Sequence, residues 1–490
     1  MRRRLGALAL AVLLVTAGCV GAPTPQGFEP GGEDPTATGL DPTPTSNPPP
    51  DPETDRLGWE DGYWHNETLD VDPSDGLNRS ELDAVVARGM ARVEAIRGLE
   101  FEKPVPVEII DRATFRNRSL SDRNHSTAQR LHQNVKFEAT FFLGEDESAI
   151  QQRSANTASA VLGYYAPGNH SITIVSDGGP PLQMNEVTLA QELFHAVQES
   201  TFEVSKLSGD TEERHNAKLG IIEGDGNYVD YLYEKRYSED LIMPDGSGGG
   251  GGGSSTHMGM LALRLQPYSD GPVFVESIRQ QSGWAGVNAV YDRPPESTEQ
   301  TIHPERYPDN KPQHVTVQDR SGPDWSVPDQ GEGAIDYAQF GEGGLYVMLW
   351  YPSHVETTER NEVTDVVIPY RHFFRTEDSL DMYNYSHPAT TGWAGERLVP
   401  YVQNDSAVTN ETGYVWKIAW ESRTDAREFQ AAYEELLDYH GAGAVEGRSD
   451  TYRIDEGKFA DAFRVTRSGT TVTIVNAPTV EELDAVHASG

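Results

Sequence analysis

One stretch of this chain places chemically capable side chains together: Leu189-Ala190-Gln191-Glu192-Leu193-Phe194-His195-Ala196-Val197-Gln198. On an α-helix, at about 100° per residue, Thr188, Gln191, Glu192, His195, Gln198 and Glu199 fall within roughly one third of the circumference. Val187, Leu189, Ala190, Leu193, Phe194, Ala196 and Val197 fill the rest. An ordinary surface helix is apolar over a narrower arc. This helix is therefore expected to be buried on most sides, with its polar stripe facing a cleft; a polar face under solvent is the alternative. A second helix is expected over 212–236, with Asn216, Glu223, Asn227, Asp230 and Glu234 on one face. Gly220, Gly224 and Gly226 lie inside it, each costing about 0.5–1 kcal/mol relative to Ala. Such a cost predicts close approach of another backbone, that of the 185–200 helix.

The elements around these helices mix both periodicities. Ser80 is placed to cap a helix through about Arg97, with Leu82, Val85, Val86, Met90, Val93 and Ile96 at helical spacing. Val105 to Ile110 reads as a strand. Val161 to Tyr165 and Ser171 to Val175 read as a hairpin around Ala166-Pro167-Gly168-Asn169. Farther on, Ala334 to Tyr351 has a helix-like apolar pattern and Val415 to Trp420 that of a strand. Thr424 is placed to cap a helix ended by Gly441. Phe463 to Val465 and Val472 to Ile474 pair across Ser468-Gly469, and Thr479 with Glu482 reads as the capping box of a last helix. The length of the body suggests two lobes, 58–310 and 311–490. The Gly-rich insertion at 246–255 is no phosphate loop, because no Gly-Lys-Ser/Thr follows it.

The N-terminal residues read as an export signal. Arg2, Arg3 and Arg4 precede an apolar run, Leu5 to Val15, that is too short to span a bilayer, where about 20 residues are needed. Thr16-Ala17-Gly18-Cys19 then looks like a lipobox, whose cysteine would take a lipid and tether the chain to the outer face of the membrane. An ordinary cleaved signal is the alternative. Cys19 is the only cysteine, so no internal disulfide is possible. Residues 20–57 are rich in Pro, Thr, Asp and Glu and bury too little apolar surface to offset the entropy of ordering, which predicts a disordered stalk. The formal net charge of −38, from 77 acidic and 39 basic residues, argues against nucleic-acid binding. Spread along the chain, it fits a protein working at molar salt, where the Debye length is about 3 Å. Glycosylation sequons stand at Asn66, Asn78, Asn117, Asn124, Asn169, Asn384, Asn404 and Asn410.

The stripe Gln191-Glu192-Leu193-Phe194-His195 resembles the His-Glu-x-x-His helix of zinc metallopeptidases, in which two histidines hold Zn²⁺ and the glutamate activates its water. In the gluzincin type a later helix adds a glutamate; Glu223, 28 residues past His195 (223 minus 195), stands where that ligand is expected. The chain also looks like a group of haloarchaeal surface lipoproteins of unassigned function. It shares their Glu223-Gly224-Asp225 segment and a run from Pro294-Pro295 through Ser297-Thr298-Glu299-Gln300 to His303-Pro304-Glu305-Arg306-Tyr307. It also shares Gly392-Trp393-Ala394-Gly395. The resemblance implies an α+β fold: a metallopeptidase-like (gluzincin-like) lobe with a small sheet and a buried two-helix site, then a C-terminal α+β lobe. It implies His195 and Glu223 as metal ligands, Gln191 at the lost ligand position and Glu192 as a vestigial general base.

An amide oxygen is a poor substitute for imidazole on Zn²⁺. The expectation is therefore a non-catalytic descendant with no tightly held cofactor, anchored to the membrane through Cys19 and binding a peptide or cell-envelope ligand. The alternative is an active Zn²⁺ hydrolase in which His170, His215 or His303 replaces the missing ligand. No Asp-x-Asp-x-Asp-Gly calcium loop and no Gly-x-Ser-x-Gly elbow is present.

Overall fold

The computed structural model describes residues 39–119, 125–176, 184–242, 256–358, 360, 365–375, 380–403 and 411–488. Cys19, Asn124, Asn404, Asn410 and the Gly-rich insertion lie outside the described residues. The chain is mixed α+β, 46% helical and 16% strand.

A two-stranded ribbon, β1 (Trp59–Glu60) and β2 (Tyr63–Trp64), lies on the first helix, α1 (Arg79–Arg97). The cap of α1 is Asn78 rather than Ser80: Asn78 Oδ1 accepts from the Ser80 and Glu81 N–H groups, and Glu81 reaches back to the Asn78 N–H. The helix stops at Gly98, which takes the left-handed conformation at φ 70°. Strand β3 (Val107–Asp111) is followed by α2 (Arg112–Ser119), α3 (Thr127–Glu138) and α4 (Ala149–Ala160), and then by the expected hairpin of β4 (Gly163–Ala166) and β5 (Ser171–Ser176). These three strands form a sheet of order β3-β5-β4, with β3 parallel and β4 antiparallel to β5.

Four helices follow: α5 (Glu186–Phe202), α6 (Glu212–Tyr237), α7 (Met258–Asp292) and the short α8 (Thr298–Ile302). The sequence reading does not anticipate α7, which carries Pro267 and Pro272 inside it and bends at Gly283. The glycines of α6 serve two neighbours. A Cβ on Gly224 would lie 2.5 Å from the Gly271 carbonyl carbon of α7, whereas one on Gly226 would lie 3.3 Å from the His195 ring of α5. The close backbone approach is thus to α7, and the expectation that α5 fills that place is corrected.

The C-terminal half is built on a seven-stranded antiparallel sheet. Its elements are β6 (Trp325–Ser326), α9 (Gly341–Thr358), β7 (Trp393–Gln403), β8 (Thr412–Trp420), α10 (Arg423–Tyr439), β9 (Gly443–Ala444), β10 (Thr451–Arg453), β11 (Ala462–Ser468), β12 (Thr471–Ala477) and α11 (Leu483–Val486). The strand order is β6-β7-β8-β12-β11-β10-β9. Helix α9 begins seven residues later than the 334 expected, because Ala338 pairs with Leu398 of β7 instead of joining the helix. Ser422, not Thr424, caps α10, in a reciprocal box with Asp425. Thr479 does bond Glu482, but α11 begins only at Leu483 with no side-chain cap.

Two further expectations change. Residues 39–57 do not stand off the body as a stalk: Thr45 bridges to Glu67, Pro49 O accepts from the Trp64 indole, and Leu40 O accepts from Arg236. The lobes also do not part at 310. One hydrophobic core joins Val135, Phe137, Phe142 and Leu263 to Phe340, Trp416 and Ile474. A second core holds α1, α5, α6, α7 and the three-stranded sheet together.

Candidate functional site

Helix α5 starts at Asn185, whose side chain accepts from the Val187 and Thr188 N–H groups. It then runs through the second core. Gly89 lets α1 close on it, since a Cβ there would meet Leu193 Cδ1 at 2.9 Å. The polar stripe is not open to a cleft. Gln191, Glu192, Gln198 and Glu223 are 0% exposed and His195 is 4% exposed. What closes over the stripe is α6 with Glu223 and Gly226, β4 with Gly163, and α7 with Tyr291.

The structure brings His195 and Glu223 together, with Nε2 3.5 Å from Oε2. The other ring nitrogen, Nδ1, lies 2.9 Å from Gln198 Oε1. Gln198 Nε2 donates to Ile222 O at 3.0 Å and to the Tyr291 hydroxyl at 2.7 Å. Its amide oxygen must therefore accept, and Nδ1 carries a hydrogen. Tyr291 in turn donates to Asp225 Oδ2 at 2.7 Å, and Arg97 holds Asp225 through Nε at 3.0 Å and Nη2 at 2.9 Å. The Arg97 guanidinium lies 4.2 Å over the Trp284 ring. The sequence reading missed Arg97 and Tyr291 and gave Asp225 no role. The one signal was Asp225 itself, an acid inside a predominantly buried helix.

Burial pushes the Glu192 carboxyl up to about 8, with the His195 charge opposing and Glu223 reinforcing the shift. For His195, burial disfavours the cation, but Glu223 and then Glu192 outweigh it and raise the imidazole to about 9. Asp230, also on the polar face of α6, is pushed well up by burial. Burial thus favours the neutral form of Glu192, while the carboxyls around His195 favour its cation. Several buried atoms here close no hydrogen bond with protein: both amide atoms of Gln191, both oxygens of Glu192 and of Glu223, His195 Nε2 and Asp230 Oδ1.

Two ligands about 2.0–2.1 Å from a tetrahedral ion sit roughly 3.4 Å apart, so the His195–Glu223 spacing alone admits Zn²⁺. The donor set does not fit a tightly held zinc. It offers one imidazole, one carboxylate and the Gln191 amide, fewer strong ligands than a tetrahedral zinc site uses. The replacement ligands do not arrive. His170 bonds the Tyr165 hydroxyl in the β4–β5 turn, His303 bonds Glu342, and His215, half-buried on α6, feels the charges of Glu212 and Glu223 without joining a cluster of ligand atoms. Among the described residues, three or more His, Cys, Asp or Glu ligand atoms come within 4.8 Å of one another only at Glu138, Glu145 and Asp461.

Of the described sequons, Asn78, Asn117 and Asn169 are exposed. The Asn66 amide nitrogen is engaged by Asp41 O and Thr43 O, and the Asn384 amide by His372, Arg375 and Ser386. No described helix is long and apolar enough to cross a membrane.

Residues 327–487 match a domain of unknown function, DUF8575, and the candidate site on α5 and α6 lies outside that stretch. No curated protein matches the chain. No solved structure matches it either.

Proposed function

We propose that the chain is a lipid-anchored cell-surface protein of a salt-adapted cell, with a binding or structural role at the envelope. In this reading its metallopeptidase-like helix pair persists as a buried, non-catalytic polar core. The observation that carries the proposal is the direct contact of His195 with Glu223 inside a site closed to solvent, with glutamine at 191. A metallohydrolase needs a path for its substrate and a water activated by metal; a sealed His195–Glu223 pair with glutamine at 191 supports neither. The peptide or envelope ligand of this reading must then meet the protein elsewhere than on the α5 stripe.

A second reading, a metal-dependent hydrolase, is favoured by the buried polar atoms that close no bond around Gln191, Glu192 and Glu223. Zinc titration of Gln191→Asn and Gln191→His beside the native chain separates the two. The histidine variant is expected to gain zinc affinity because it restores a second imidazole four residues before His195. The asparagine variant should match the native chain. Equal zinc affinity in all three would mean that positions 191, 195 and 223 do not converge on one ion.

A further inference from the structure

A second group of acids lies outside the α5–α6 site, where α3 and the loop after it meet the seven-stranded sheet. Glu138 is the last residue of α3, Glu145 belongs to the loop after it, and Asp461 immediately precedes β11. One carboxylate oxygen from each lies within 4.8 Å of the others. Glu138 and Asp461 are buried, at 7% and 1% exposure, while Glu145 is exposed. None of the three forms an ion pair with a described Lys, Arg or His. Arg453, whose charge reaches Asp461, is engaged by Pro478 O and Asp455.

The donors do not end with the carboxylates. Asn476 of β12, 0% exposed, donates its Nδ2 to Asp461 Oδ2 at 2.9 Å, which sets the amide beside the carboxylate. Its own oxygen, Oδ1, finds no donor, and Asp461 Oδ1 finds none except across the Glu138–Asp461 carboxyl contact; Thr412 also reaches Glu138. Buried acceptor oxygens beside two further carboxylates are a costly arrangement unless a cation, or a proton held between Glu138 and Asp461, satisfies them. The C-terminal end of α3 adds the negative end of its dipole at Glu138.

We infer that Glu138, Glu145, Asp461 and Asn476 form a binding site for a hard divalent cation, Ca²⁺ by its chemistry. All donors are oxygens, which excludes preference for a soft or imidazole-seeking metal. They come from a helix end, a loop, the residue before β11 and a position in β12, an irregular set that suits the flexible coordination of Ca²⁺ better than the strict octahedron of Mg²⁺. The exposed side at Glu145 leaves room for water to complete the shell. The ion would pin the 139–148 loop to the sheet. That loop already approaches closely, since a Cβ on Gly144 would meet Lys458 Cβ at 2.6 Å. Burial and mutual repulsion push the Glu138 and Asp461 carboxyls up, so the rival account is a shared proton with no metal.

The test uses the full chain in molar KCl at constant ionic strength, so that screening of the general acidity stays fixed. Tb³⁺ is the probe, sensitised by Tyr414, a residue that feels the Glu138 and Asp461 charges. The expected result is one saturable Tb³⁺ per chain, displaced by Ca²⁺, with Ca²⁺ raising the melting temperature. Glu145→Gln, on the exposed side, should weaken Ca²⁺ binding by about tenfold or more, and Asp461→Asn should abolish it. A native melting temperature indifferent to Ca²⁺, or a Glu145→Gln variant that binds Ca²⁺ like the native chain, overturns the site and leaves the shared proton. Glu145→Gln carries the test even if Asp461→Asn does not fold.

Discussion

At the scale of single residues, the decisive group is the Gln191 amide, four residues before His195 on α5. Gln191 puts no second imidazole nitrogen beside His195; the Glu223 and Glu192 carboxyls favour the His195 cation against its burial, while burial favours the protonated form of Glu192. Both states have a pH signature. Glu192 is raised from 4.5 to about 8, so its favourable contribution is complete below the ordinary glutamate range and is lost as pH rises through about 8. His195, raised from 6.5 to about 9, contributes fully below 6.5 and loses that contribution as pH rises through about 9. Unfolding free energy in molar salt should therefore fall from pH 7 to pH 10. Glu192→Gln, the isostere of the neutral acid, should be at least as stable as the native chain at pH 7 and show a flatter fall between about pH 5 and pH 8, with the two slopes alike above that. Denaturant titrations at several pH values give the result, and a large loss at pH 7 would mean that Glu192 is ionised in the native state. Glu192, His195 and Glu223 were legible in the sequence because two of them share a helix face and the third follows at a recognisable spacing. Arg97 and Tyr291 were not. The Gln198–Tyr291 bond spans 93 residues, and the Arg97–Asp225 pair spans 128. No local pattern announces such contacts.

At the scale of elements, the fit of α6 is set by what it lacks. Gly224 and Gly271 bring two helices so close that a methyl group on Gly224 would sit 2.5 Å from backbone. Gly224→Ala gains up to about 1 kcal/mol in helix propensity, yet it must separate α6 from α7 at a typical overpacking cost of about 1–3 kcal/mol. A net fall in melting temperature is the expected outcome; an increase would show that the helices part without strain. Helices α5 and α6 are readable because each gathers its polar side chains on one face, Gln191, Glu192 and His195 on α5 and Glu223, Asn227 and Asp230 on α6. The sequence hid α7, where Pro267, Gly271 and Pro272 each argue against a helix that tertiary packing enforces all the same. The displaced start of α9 has the same origin: Ala338 belongs to an apolar run, but strand pairing with Leu398 claims it.

At the scale of the whole molecule, a net charge of −38 surrounds an apolar core that reaches across the expected lobe boundary and a second that lies before it. Because Val135, Phe137 and Phe142 pack with Phe340 and Trp416, heating should give one cooperative transition for residues on both sides of 310. Its midpoint should rise steeply between 0.1 and 1 M KCl, as the Debye length falls from about 10 to about 3 Å. Two transitions, or a midpoint indifferent to salt, would count against this picture of the body. The account as a whole rests on a site that holds no tightly bound transition metal. Its most direct test is the metal content of the full chain, purified in molar salt without chelator or added metal. The account predicts far less than one zinc per chain, unchanged in His195→Ala and Glu223→Ala. One zinc per native chain, lost in both variants, would contradict it.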